Sequence, residues 1–337
     1  MAERSGQRSQ PASNVCMSGR DLWGMVEMNR RALLGGSLTA LALGTAHADE
    51  PHGTVTQGAE TWSESLMLVY FDRDVRNGIS VRVSRYPDLN ATWVWCHVLF
   101  EGRIYAYTER RVSCAAWRNL PEMIRGDYSA PSTGVEFLRQ GSALSLAGVD
   151  LSATVRARQS SEGRDGPGET PISIEAAFTS PRLKNNLPAG RSEWTGWADI
   201  ALTVDGRRMQ LSGAAKAHEQ VQSAPRFDAP FTYAMLWNDA TSFIATAAAR
   251  RRSGDYEADG IATAVTDFQP TAPSRERVFE VRLQDGRVLK GRAARVASYD
   301  VPIFGRMWNG AIVRAEVDGR AVIGMLNDWR PEDSTFL

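Results

Sequence analysis

Few residues in this chain combine the type and the spacing that chemistry requires. His218-Glu219 opens like the zinc-hydrolase motif His-Glu-x-x-His, but position 222 is Gln, so the second ligand one helical turn on is missing. Histidine is scarce: His47 and His52 lie near the start, and only His97 and His218 sit within patterned sequence. Catalytic zinc usually takes three protein ligands, and the cysteines lack Cys-x-x-Cys spacing, so no metal site is expected. The body of the chain also lacks Gly-x-Gly-x-x-Gly, a Walker loop and Gly-x-Ser-x-Gly, and no cofactor is expected. Any catalysis must therefore rest on carboxylates, tyrosines or one histidine in apolar surroundings. There a carboxyl keeps its proton, because desolvation penalises the anion, and it can act as a general acid near neutral pH.

Aromatic residues supply the other half of such a site. Tryptophans recur through the body of the chain, among them Trp93, Trp95, Trp117, Trp194, Trp197, Trp237, Trp308 and Trp329. Any one of them serves as core or sheet packing; a group of them would line an apolar pocket. Trp93, Trp95, Tyr233, Trp237 and Trp308 are the residues expected to line it.

The elements that must position these residues are hairpins. Glu101-Gly102-Arg103, Asp205-Gly206-Arg207, Asp285-Gly286-Arg287 and Asp318-Gly319-Arg320 each stand between alternating apolar runs. Asp-Gly favours a tight turn because Gly supplies positive φ without steric cost. A two-residue loop at Asp205-Gly206 sets Leu202 opposite Met209 and Ile200 opposite Leu211. Residues 64–71 are apolar on both faces and read as a central strand, whereas 78–84 alternate and read as half exposed. Alternation puts Trp93, Trp95, His97 and Leu99 on one face of the next strand, with Val94, Cys96, Val98 and Phe100 on the other. Residues 120–125 suggest a helical turn, and 159–170 a polar loop. Residues 231–250 read as two strands turning at Asn238-Asp239. Antiparallel hairpins in series must pack on one another or close to protect their edges, so the fold class is all-β, and its chemistry would lie in a cavity.

The 337 residues suggest two domains. The expected division is 55–180 and 194–331, with the Pro-, Asn- and Lys-rich stretch 181–193 as linker. Lys+Arg and Asp+Glu both number 39, so no basic field draws nucleic acid, and Arg250-Arg251-Arg252 reads as a solvated loop edge.

Residues 28–48 read as a signal peptide: Asn29-Arg30-Arg31, an uncharged run from Ala32 to Thr45, then Ala46-His47-Ala48. Paired arginines followed by Leu33-Leu34 suggest the twin-arginine route, with general secretion the alternative. The apolar run is too short to span a bilayer, so no transmembrane helix is expected in the mature chain, which would be periplasmic or secreted. Residues 1–27 are polar and unpatterned, either a disordered extension or the product of a misplaced start, with Met25 and Met28 the other candidates. Of the cysteines left after export, Cys96 falls opposite residue 107 in its hairpin rather than near Cys114. The two are read as separate core thiols, a bridge being the alternative.

Three stretches carry a resemblance. They are Thr61-Trp62-Ser63-Glu64-Ser65 with the strand after it, the passage from Trp194 to Phe227 with its Gly-rich step from Gly213 into His218, and Tyr299 to Trp329. The last holds a Pro-x-x-Gly-Arg at Pro302 to Arg306 and Val317-Asp318-Gly319-Arg320. Together they resemble the AttH-like, lipocalin-like superfamily, which includes carotenoid 1,2-hydratases (hydroxyneurosporene synthases) and cyclases of natural-product pathways. The likeness covers most of 55–331. Relatives often read Arg-Asp-His-Ser-Trp-Gly where this chain has Lys216-Ala217-His218-Glu219-Gln220-Val221.

The resemblance implies two consecutive β-barrel or sandwich domains, an apolar pocket between or within them, and cofactor-free protonation, hydration or cyclisation of an isoprenoid-, sterol- or polyketide-like substrate. Alkene protonation needs a strong acid, and tryptophan faces can stabilise the resulting cation. Glu219, with His218 beside it, is the first candidate donor, and Glu64, Asp228 and Tyr299 are the second choices. Residues 218 and 219 of a strand point to opposite faces, so at most one lines a given pocket. The alternative is a carrier of an apolar ligand, which needs the tryptophans but no acid. A structural protein with its pocket filled by side chains is the third reading.

Overall fold

The computed structural model describes residues 63–86, 91–112, 127–130, 135–140, 149–159, 170–180, 184–187, 191–222, 227, 229–249, 251–303 and 306–330. The signal segment, Cys114, Asp228 and the expected helical turn at 120–125 lie outside them. No helix of the described residues is long and apolar enough to cross a membrane.

All described elements are strands, antiparallel throughout. The first eleven are β1 (Ser63–Phe71), β2 (Gly78–Tyr86), β3 (Ala91–Phe100), β4 (Arg103–Val112), β5 (Asp127–Ala130), β6 (Val135–Gln140), β7 (Val149–Gln159), β8 (Thr170–Ser180), β9 (Lys184–Leu187), β10 (Arg191–Val204) and β11 (Arg207–Gln222). They form one curled sheet in the order β4-β3-β2-β1-β11-β10-β8-β7-β6-β5, with β9 joined to β10. The remaining eight are β12 (Phe231–Trp237), β13 (Thr241–Ala248), β14 (Arg251–Ala258), β15 (Ile261–Pro270), β16 (Glu276–Leu283), β17 (Val288–Ile303), β18 (Arg306–Val317) and β19 (Arg320–Trp329). They close into a barrel through pairing of β12 with β19. The architecture is thus two consecutive lipocalin-like β units, a half-barrel and a closed barrel.

Turn chemistry sets much of this. Glu101-Gly102, Asp205-Gly206 and Asp318-Gly319 all take positive φ at both residues, the two-residue hairpin geometry their sequence calls for. Register follows, with Leu202 opposite Met209, Ile200 opposite Leu211 and Cys96 opposite Tyr107. Asp285-Gly286 sits in a longer loop, with positive φ only at Gly286. Asp259-Gly260 makes a further two-residue turn, between β14 and β15.

Two expectations are corrected. The boundary between the units falls after β11, not at 181–193. The hairpin β10–β11 completes the first sheet between β8 and β1, and β9 lies within the supposed linker and pairs with β10. A Pro- and Asn-rich stretch marks a change of direction, but the hydrophobic face of β10 decides which core the hairpin joins. Trp194, Ile200, Leu202 and Val204 pack with Leu66, Leu68, Val81, Cys96 and Phe178. The second correction concerns β2, which is buried on both faces rather than half exposed.

That burial has a single cause. Among the described residues there are three apolar clusters: one inside the half-barrel, one inside the barrel, and a third between the two lobes. The barrel interior is filled by side chains, with Phe243, Phe268 and Phe279 mutually 5.5–5.9 Å apart. The third cluster joins the outer face of β1, β2 and β3 to the outer face of β12, β17, β18 and β19. Residues on those strands that alternation assigns to solvent are therefore sealed between two sheets.

Candidate functional site

The interlobe layer gathers most of the residues that sequence singled out. Trp93 and Trp95 on β3 meet Tyr233 and Trp237 on β12, Tyr299 on β17 and Trp308 on β18. Trp95 and Trp308 lie 5.7 Å apart by ring centroids, and Phe227, from the segment crossing between the lobes, stands edge-on to Trp308 at 5.9 Å. Trp237 is tied across the layer by its indole N–H, which donates to the Ala214 carbonyl at 3.0 Å.

His218 projects into the same layer from β11, where it lies opposite Met67 and Glu193. Glu219, its neighbour, lies on the other face of the sheet, opposite Leu66 and Ser192, and is also buried. Glu64 shares that inner face, and its Oε1 is 2.6 Å from Arg85 Nε, its cross-strand partner on β2. The sheet thus separates the candidate carboxylates Glu64 and Glu219 from the aromatic group.

Polar residues that pattern alone did not single out complete the layer. Arg82 of β2 is buried and donates to Ser65 Oγ at 2.7 Å and Ser84 Oγ at 3.0 Å, with its guanidinium 5.3 Å from the Trp95 ring centroid. Arg191 of β10 binds Glu193 Oε1 at 2.6 Å, donates to the Tyr233 hydroxyl and lies 4.6 Å from that ring's centroid. Lys216 reaches across the layer to Ser242 Oγ at 2.7 Å. His97 stacks on Tyr299 at 3.8 Å, and the Tyr299 hydroxyl donates to Asn327 Oδ1 at 3.1 Å.

Electrostatics follow from this dryness. Burial pushes the His97 imidazole down to about 3, so it is neutral at ordinary pH. His218 is held well below its usual range by burial, reinforced by Arg191, Arg82 and Lys216. Burial raises both Tyr233 and Tyr299, which stay protonated. Arg82 is pulled down to about 10 by burial and keeps its charge. Ring nitrogens in the layer that are buried without a hydrogen-bond partner include Trp95 Nε1, His97 Nε2, Trp308 Nε1 and both nitrogens of His218. Such groups cost free energy when left unmet, and native structures leave few of them.

The missed residues had a signal that was read the other way. Ser80, Arg82 and Ser84 alternate with Ile79, Val81 and Val83, which is the pattern of a solvated face. His97 lay on the face of Trp93 and Trp95, but nothing local showed that this face was covered.

No family model matches the sequence, and no curated protein does. Solved structures do resemble it in fold. CghA with Sch210972 superposes with a TM-score of 0.54 at 10% identity, over 80% of this chain and 89% of that one. A second structure of CghA gives 0.51 at 10% identity over 86% and 97%. A kievitone hydratase of Nectria haematococca reaches 0.45 at 12% identity over 83% and 97%, too weak a likeness to bear on this chain.

Proposed function

We propose that this protein binds an apolar small molecule, isoprenoid-, sterol- or polyketide-like, in the layer between its lobes, after export directed by residues 28–48. The observation that carries this is the set of unmet donors and acceptor nitrogens at Trp95, His97 and Trp308 within a layer of aromatic rings. An apolar body would lie against the rings, and an oxygen or two on it would satisfy the nitrogens. CghA was crystallised with Sch210972, so a protein of this fold can hold a small molecule. The fold likeness and the sequence resemblance both support a kinship with the AttH-like superfamily.

A second reading, cofactor-free hydration or cyclisation through protonation of an alkene, draws support from one residue. Glu219 is only 4% exposed and lies opposite Leu66, a carboxyl held out of water. Its weakness is placement, since Glu219 and the tryptophans lie on opposite faces of one sheet. Glu64 serves this chemistry less well, because Arg85 stabilises its anion.

Native mass spectrometry of the mature chain from Asp49, purified from its host, tests the first reading. A retained apolar molecule is expected, and Trp95→Ala with Trp308→Ala should lose it. An empty protein that also fails to brighten N-phenyl-1-naphthylamine would overturn ligand binding. If a molecule is found, its turnover by the wild-type protein and by Glu219→Gln separates the two readings. Unchanged turnover in the variant removes Glu219 as donor, and no turnover in either leaves a carrier.

A further inference from the structure

Arg82 is a buried cation with no carboxylate of its own among the described residues. It lies on the outer face of β2, 6% exposed, sealed between the lobes. Its hydrogen bonds go to two neutral hydroxyls, Ser65 Oγ and Ser84 Oγ, and among the described residues no carboxylate touches it. Glu193, the carboxylate of the neighbourhood, is already bound by Arg191 at 2.6 Å. Two guanidinium groups therefore share one carboxylate. A buried cation costs stability unless an anion compensates it, and hydroxyl acceptors make up only part of the loss.

The surroundings give a compensating anion a shape. The guanidinium lies over Trp95, and Trp95 packs on Trp308. The unmet nitrogens of Trp95, His97 and Trp308 lie on the same sheet faces. Ser65 and Ser84 accept from Arg82 and so fix the direction of its planar guanidinium, a group that matches two oxygens of one carboxylate. We infer that the ligand of this layer is an acidic amphiphile, an apolar chain or ring system ending in a carboxylate, whose anionic oxygen pairs with Arg82. This deepens the proposed function and rests on it: the apolar body is that reading, and the acidic head is new.

Matched probes separate the two. Binding of 11-(dansylamino)undecanoic acid and of its methyl ester to the full mature chain is followed by dansyl emission at near-neutral pH. The acid should bind at least about tenfold more tightly than the ester, the scale of a charge-assisted hydrogen bond in a dry site. Arg82→Gln should bring the two within about twofold, chiefly by weakening the acid. Arg82→Lys, which keeps the charge but loses the fork, should fall between, and it carries the comparison if the Gln variant fails to fold by circular dichroism. Equal binding of acid and ester by the wild type overturns the acidic head and leaves apolar binding standing. Retention of the full preference in Arg82→Gln overturns the role of Arg82. Binding of neither probe overturns apolar binding and this inference with it.

Discussion

At the scale of single residues, the interlobe layer buries titratable groups at a cost in stability. His97 and His218 are both buried and neutral, with folded pKa values depressed below that of an exposed histidine. As pH falls below about 6.5 the unfolded chain takes up protons that the folded chain refuses, so stability is full at neutral pH and is lost on acidification. The loss runs at up to about 1.4 kcal/mol per pH unit for each histidine. For His97 it continues to about pH 3. His97→Phe keeps a ring against Tyr299 but removes one titrating group. Denaturant unfolding between pH 6.5 and 4 should therefore show a shallower fall for the variant, by about one histidine's slope; parallel profiles would mean His97 is not the group responsible.

At the scale of elements, strand pairing sets where rings can lie. Tyr299 on β17 is opposite Gly310 on β18, and a Cβ at 310 would overlap the Tyr299 ring. This glycine is there for space and not for its backbone angle, since it carries no positive φ. Gly310→Ala should push Tyr299 off its stack with His97 and cost about 1–3 kcal/mol, in line with other overpacking changes. The checks are a thermal shift together with loss of the probe binding described above. An unaffected melting temperature would show that the ring can slide without strain. Turns at this scale were legible from sequence, because Asp-Gly at 205–206 and 318–319 needs no distant partner to adopt positive φ. The boundary at 181–193 was misread because composition reports a bend, whereas the sheet that β10 joins is settled by which apolar face receives Trp194 and Ile200.

At the scale of the whole molecule, the two lobes share a core. Met67, Val69, Phe71, Trp93 and Trp95 from the first lobe pack with Met235, Trp237, Ile312, Met325 and Trp329 from the second. Separating the lobes would expose a contiguous apolar face on each, which folded soluble domains seldom present. Calorimetry of the mature chain should therefore show a single transition. Residues 227–337 expressed alone should aggregate or bind a hydrophobic dye strongly. Two well-separated transitions, or a monomeric and soluble barrel fragment, would show that the interlobe layer contributes little to stability.

The sequence by itself determined the all-β class, the positions of three two-residue hairpins and the sidedness of β3, because turn preference and period-two alternation act over a few residues. It also marked Trp93, Trp95, Tyr233, Trp237 and Trp308 as a group worth following. Only the tertiary structure decided that these five face one another, that His218 joins them while Glu219 turns away, and that Ser80, Arg82 and Ser84 lie in a dry seam. The reason is physical. Alternation tells which residues share a face of a sheet, but water and a second sheet can cover that face equally well. Which of them does is fixed by contacts between residues more than a hundred positions apart.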